Sequence, residues 1–551
     1  MDPTVAAPTP DRVASSQSGI DSGQPHSAVS DEELLSTINQ MLRHAWQEAG
    51  MGPSPPATDS EWCRRVYLDI VGRIPSIEEL ENFLRDRSRD KRARLVDRLL
   101  GEEYIEQYAR NWTTIWTNTL VGRSGGQTPG SLVNREGLQQ YLRRAMLHNK
   151  PYDQIVEELL SAEGVNTPGE EGFNGAVNFL LDNLDENGVT AAAKTGQIFL
   201  GVQIQCTQCH NHPFNEWQQD QFWGLNAFFR QARGVNLMDP AAPRSARLED
   251  VDFAGELGDS REAEIFYELR NGQLRAAYPT FIDGVPINPS GLVDQVNRRD
   301  ELARLVVQSP SLGQALVNRI WSHFFGYGFT KPVDDMGPHN SPSHPELLER
   351  LGAHFAAGGH DLKRLLRVIA LTDAYSLSSR FGTKYGNQSD DPSLGTPAWF
   401  SHFYLRQLTA EQLYDSLVAI TDAHRTQGSF EEQQRLKEQW LEQFTIAFGT
   451  DDNEEATTFN GTITQALMMM NGDLTRRATT AEPGTFLHQL ATTRRSGHVE
   501  RLYLAALART PSAKERQWAG DLFASRQQSP VTALEDMWWA LLNSNEFILN
   551  H

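Results

Sequence analysis

A mainly α-helical protein of two helical lobes, with a small β-hairpin insert near residues 263–281, is the fold class this sequence predicts. Three observations lead there. Apolar residues recur at three- and four-residue spacing over most of the chain, the period of a helix with one buried face. Ser76 and Glu79, and again Ser343 and Glu346, have the spacing of a capping box just before such runs. Between about 248 and 286 the period drops to two: Ile265, Tyr267 and Leu269 alternate, Asn271-Gly272 follows, and Leu274, Ala276 and Tyr278 continue. Asn-Gly between alternating apolar runs is a strong hairpin signal.

Taken in order, residues 1–30 are rich in Pro, Ser, Ala, Gly and Asp and read as a disordered tether. They hold no charged segment followed by an apolar one, so no signal peptide is visible; a removed leader and a plain cytosolic tail both leave such a start. From Asp31 the spacing of Leu34, Leu35, Ile38, Met41, Leu42 and Trp46 predicts a helix. Further helices are expected over 64–71, 76–85, 91–100 and 104–120, the last carrying Trp112 and Trp116 one turn apart as core residues. Loops at 122–130 and 164–175 separate helices at 138–148 and 152–161 from one at 191–202, and an aromatic-rich helix follows at 220–230. From Asp300 the chain is helical almost to its end, with breaks at 326–343, 381–397 and 450–461. The expected organisation is therefore a tether (1–30), a helical domain (31–247), a β insert (248–290) and a second helical domain (291–551), the lobes dividing near 285–300.

A chain of 551 residues exceeds what one core serves, since cores stop growing at roughly 250–300 residues. A formal charge of −21 repels phosphate backbones and anionic headgroups, which argues against nucleic acid as a partner. No apolar stretch approaches the roughly 20 residues needed to cross a bilayer.

Three cysteines cannot build a disulfide framework. Cys63 sits in an apolar-periodic stretch and reads as a small buried hydrophobe. The other two form Cys206-Thr207-Gln208-Cys209-His210. Two thiols separated by two residues and followed at once by a histidine have the arrangement of covalent haem attachment: the thiols add to the two vinyl groups and the imidazole of His210 reaches the iron as proximal ligand. Other readings of the same residues are a bare redox pair, an inert pair, or a zinc-type site using Cys206, Cys209, His210 and His212. Four ligands within seven residues close a tetrahedron badly. His212 is otherwise a group supporting the site or a loop histidine.

A second constellation is Asp334-Asp335-Met336-Gly337-Pro338-His339-Asn340-Ser341-Pro342-Ser343-His344. Asp334, Asp335, Met336, His339 and His344 are candidates for a distal iron ligand or a cation site; alternatively each pins its own loop. This loop is expected to face the cysteine motif. The acidic stretch 451–455 lacks the ligand alternation of a calcium loop and reads as solvated.

Several of these segments resemble a known family pair. Arg64-Arg65-Val66-Tyr67-Leu68-Asp69, Gly72-Arg73-Ile74-Pro75, residues 95–100, and 199–202 leading to Cys206 and His212 are similar to the planctomycete cytochrome-type domain of unknown function. Val317-Asn318-Arg319-Ile320-Trp321, Phe324-Phe325-Gly326, residues 342–348, Gln465-Ala466-Leu467 and residues 540–547 resemble the planctomycete-specific domain that usually follows it. The resemblance implies export, to the periplasm or beyond, and association with haem, but no established reaction. The chain departs from the commoner fused pattern in having no second Cys-x-x-Cys-His motif, hence no separate cytochrome module. The expectation is a single-haem c-type redox or electron-transfer protein with an unidentified redox partner. The alternative is a zinc-type hydrolase-like or scaffold protein working with extracellular glycan-processing proteins.

Overall fold

The computed structural model describes residues 30–126, 131–184, 186–237, 245–426, 429–449, 462–493, 497–526 and 529–551. Apart from Ser30 the expected tether lies outside them, as does the acidic stretch 451–455.

Helices dominate, and side-chain chemistry sets where they begin. Ser30, Thr58 and Ser76 each accept from the backbone amide three residues on, while Glu33, Glu61 and Glu79 reach back to the capping residue's own amide. Each box satisfies donors that a helix start leaves unpaired. The run beginning at Asp31 becomes the helix Asp31–Glu48, with Leu34, Ile38, Leu42 and Trp46 buried. Trp112 and Trp116 are core residues of Ile105–Val121, and Cys63 is fully buried, which pushes its thiol pKa far up.

One helix differs instructively. In place of a continuous element over 191–202, Val189–Thr195 widens into a π turn, Gly196–Leu200, closed by Gly201 at φ 67°. The left-handed backbone at Gly201 favours glycine, and the Met336 methyl group packs into the space a Cβ would take.

The hairpin forms where the alternation changes. Ile265–Glu268 pairs antiparallel with Leu274–Ala277, Ile265 opposite Ala277 and Glu268 opposite Leu274. A three-stranded sheet is the unexpected element: Ala246–Asp250 is central, flanked by Gly164–Val165 and Ala232–Asn236. Its edge strand, two residues long, comes from the stretch expected as a loop over 164–175. Strands this short leave no periodicity to read.

Apolar packing forms two large cores. Apart from Ala508, the first is built from residues between Leu34 and Tyr404; the second is built from residues between Leu408 and Phe547, together with Leu68 and Ile74. The linear division expected near 285–300 is bridged by packing, because Arg298–Gln308 lies against Tyr152–Ser161. Two buried arginines fasten the β insert at this junction. Arg298 donates to the carbonyls of Ala227 (2.9 Å), Ala263 (2.8 Å) and Ser290 (3.2 Å). Arg299 clamps Asp250 through Nε (2.7 Å) and Nη2 (2.6 Å), neither side chain exposed.

The helix Asp59–Val71 lies between the cores and is buried from Trp62 to Val71, its charged residues included. Val66, Tyr67 and Ile70 join the first core, Leu68 the second.

Candidate functional site

The cysteine motif is carried by a short 3-10 helix, Gln205–Gln208. At three residues per turn, side chains at i and i+3 eclipse, so Cys206 and Cys209 share one face. Both are free and exposed. Thr207 between them is buried and anchors the turn by donating from Oγ1 to the Ile204 carbonyl at 2.6 Å.

The turn is held from behind. The Gln208 carbonyl accepts from Trp223 Nε1 (3.0 Å) and Gln219 Nε2 (3.1 Å), both on the helix Gln219–Asn226. Trp223 stacks on Tyr267 of the hairpin with ring centroids 5.9 Å apart, and Gln219 also donates to the Glu268 carbonyl. The β insert thus acts as a buttress for the motif.

The two neighbouring histidines are differently prepared. His210 is exposed, and its Nδ1 lies 2.7 Å from the Asn211 carbonyl. A carbonyl only accepts, so Nδ1 carries the proton and Nε2 is left with a free lone pair, the state in which imidazole binds a metal. In His212 the roles are reversed: Nδ1 accepts from the Phe214 amide at 3.2 Å, which places the proton of the neutral ring on Nε2. Partial burial lowers the His212 pKa, helped by the like charges of His339 and His210.

The loop 334–340 packs beside the segment leading into the motif. Asp334 accepts from Gln197 (2.6 Å), within the π turn, and from Gln203 (2.8 Å), just beyond it, and the Met336 amide donates to the Gly201 carbonyl at 2.7 Å. Asp335 accepts from His339 Nε2 at 3.0 Å, and the His339 ring lies 6.2 Å from that of His212. Asp334, Asp335, His212 and Cys206 line one cleft of about 1200 Å³. Further walls come from Ile105–Val121, Val189–Thr195, Pro310–Phe325 and residues 406–412.

Residues 37–234 match the PSCyt2 family, a protein of unknown function (DUF1549), and residues 298–523 match the PSD1 family, a protein of unknown function (DUF1553). The chain belongs to the PSCyt2–PSD1 family pair. No curated protein and no solved structure matches it. The cysteine motif lies in the PSCyt2 segment, and the loop 334–340 in the PSD1 segment; the cleft is where the two meet.

Not every sequence candidate joins the cleft. His344 packs among Phe329, Trp399 and Phe400, with its Nε2 buried and unpartnered. These apolar neighbours hold it in the first core. Met336 is spent on packing, its Cε and sulfur held against Gly201. Among the described residues no three His, Cys, Asp or Glu side chains are grouped to hold a metal ion. Sequence reasoning missed Lys194, on the helix leading into the motif, and His323 and Arg319, on a helix remote from it in sequence, all of which line the cleft. Arg319 lies inside a family motif, but nothing in its spacing marks it as facing a cavity.

His323 and His344 make a pH prediction. Burial lowers both to about 4. The unfolded chain, with histidines near 6.5, then binds more protons between those values. Stability is therefore fully present above pH 6.5 and is lost as pH falls toward 4, by about 3 kcal/mol for each histidine. Urea midpoints at pH 7 and pH 4.5 should show this fall, and His344→Phe should flatten it; an unchanged slope in that variant would count against the buried-neutral assignment.

Proposed function

We propose that this PSCyt2–PSD1 protein is a single-haem c-type redox protein acting outside the cytoplasm. Cys206 and Cys209 hold the group as thioether anchors, and His210 is the proximal iron ligand. One observation carries the reading: two free, exposed thiols on one face of a single turn, followed by an imidazole whose Nδ1–H is engaged and whose Nε2 is open. The donor set fits the group in number, kind and order. Each thiol gives its sulfur to one carbon of a vinyl double bond and its proton to the other, so attachment requires no oxidant.

The surroundings suit this assignment. Phe214, four residues past His210, is 85 % exposed, the most exposed large apolar side chain among the described residues. An exposed apolar ring packed against His212 is suited to cover a porphyrin face. When bound, haem supplies one-electron exchange at its iron. The protein fixes the anchors through the Thr207 and Gln208 hydrogen bonds and orients His210 through Asn211. His212, with its proton on Nε2, and His339, bound to Asp335, remain supporting residues of the cleft wall.

Protein made with the cytochrome c maturation machinery should show a pyridine haemochrome spectrum and an intact mass raised by one haem. Folded, colourless protein, whether metal-free or carrying about one zinc per chain, would overturn the proposal.

A further inference from the structure

We propose that the cleft between the PSCyt2 and PSD1 segments is a binding site for a hydroxyl-rich anion, whose carboxylate, sulfate or phosphate group is held by Lys194 and Arg319. The chain as a whole carries −21, yet the cleft is lined by five cations and three carboxylates, with a fourth carboxylate, Asp69, buried against Arg406. A cationic cleft in an acidic protein focuses a local field that attracts anions against the overall charge.

The partners of these charges narrow the site. Arg123 is bound by Glu411 at 2.7 Å, Arg406 by the buried Asp69, and Asp335 by His339. Lys194 and Arg319 are different: among the described residues neither makes a hydrogen bond or ion pair. The Nε of Arg319 is buried with no partner at all. Other half-buried arginines of this chain meet carboxylates, as Arg73 does Glu79 and Arg509 does Glu515. A buried guanidinium nitrogen without an acceptor is costly, and the planar fork that carries it matches an oxyanion. The ligand's body follows from the rest of the wall. Thr190, Gln205 and Ser322 line the cleft with side chains that make no hydrogen bond among the described residues, leaving donors and acceptors for hydroxyl groups.

Cys206 and His212 line the same cleft, so a ligand held there would lie beside the attachment motif. The anion site itself does not rest on the haem reading. Calorimetry on the full chain at low ionic strength, with glucuronate, glucose 6-sulfate and glucose 6-phosphate against neutral glucose, tests it and identifies the preferred oxyanion. At least one anion should bind ten-fold or more tightly than glucose, and Lys194→Gln and Arg319→Gln should each weaken it about ten-fold, with Lys194→Arg retaining it. Lys194, on which no other side chain depends, reports even where Arg319→Gln fails to fold. Anions no tighter than glucose, or an unchanged affinity in a folded Lys194→Gln variant, would overturn the proposal. So would anion binding by haem-free protein that disappears on haem loading, which would assign the two cations to the haem propionates.

Discussion

Replacing both Cys206 and Cys209 by alanine should abolish covalent haem retention completely, while His210→Ala should leave haem attached and change its absorption. The two effects differ because the residues bond to different parts of the group. Each thioether needs its own sulfur, so neither cysteine substitutes for the other; a single variant should retain haem through one link at reduced yield. The imidazole contacts iron only, so its loss alters ligation without cutting an anchor. The 3-10 turn itself should survive, because it is pinned by Thr207 and Gln208, and neither cysteine contributes to the core. Haem stain after denaturing electrophoresis and the visible spectrum are the readouts. Retention of stain in the double variant would sink the thioether assignment, and a spectrum unchanged in His210→Ala would sink the ligand assignment.

Much of this site was legible in sequence because its chemistry is local. Cys206, Cys209 and His210 are set by spacing on one turn, and the Asn271-Gly272 hairpin that buttresses them is set by alternation and turn chemistry. The loop expected to face the motif, Asp334 to His344, reaches the cleft with Asp334 and Asp335, whereas His344 packs among Phe329, Trp399 and Phe400. What sequence could not supply is what remote elements build together. Lys194 and Arg319 sit on amphipathic helices, where a charged residue ordinarily reads as the solvated face; only the packing of those helices turns them inward to a cleft. The short strands Ala232–Asn236 and Ala246–Asp250 exist through their pairing and leave little local trace. The boundary near residue 290 follows a real change in pattern and falls between the two family segments, whereas the cores part beyond residue 404.

Arg64-Arg65-Val66-Tyr67-Leu68-Asp69 entered the reading only as a point of resemblance, since arginine and aspartate are rarely buried. In the structure these residues are where both cores are tied together. Arg64 donates to the carbonyls of Ala506 (2.8 Å) and Phe547 (2.7 Å), and Arg65 to those of Tyr375 and Leu377, with its guanidinium 3.5 Å from the Phe403 ring centroid. Burial lowers both guanidinium groups to about 10, so they stay charged at neutral pH.

Asp69 is the single acceptor on which the opposite side depends, and Asp69→Ala should destabilise the protein by about 3–5 kcal/mol, the cost of stranding a buried charge. Its carboxylate takes Arg406, the Tyr375 hydroxyl at 2.5 Å and Asn550 Nδ2 at 3.1 Å, all buried. Arg406 and Asn550 lie opposite each other in the strand pair Arg406–Gln407 and Leu549–Asn550, which closes the C-terminal lobe, while Tyr375 belongs to the first core. Removing the carboxylate leaves a guanidinium, a hydroxyl and an amide donor without acceptors at a point where the lobes share a buried network. The loss should exceed that of Glu301→Ala by several fold, because the Arg304–Glu301 pair is exposed and such pairs contribute about 0.2–1 kcal/mol. Asp69→Asn should fall between, keeping one acceptor oxygen but not the charge. Urea unfolding followed by tryptophan fluorescence checks the magnitude, and in Asp69→Ala the single transition should separate into two as the lobes uncouple. A loss below about 1 kcal/mol with one cooperative transition would mean that the Asp69 network adds nothing to the coupling of the lobes.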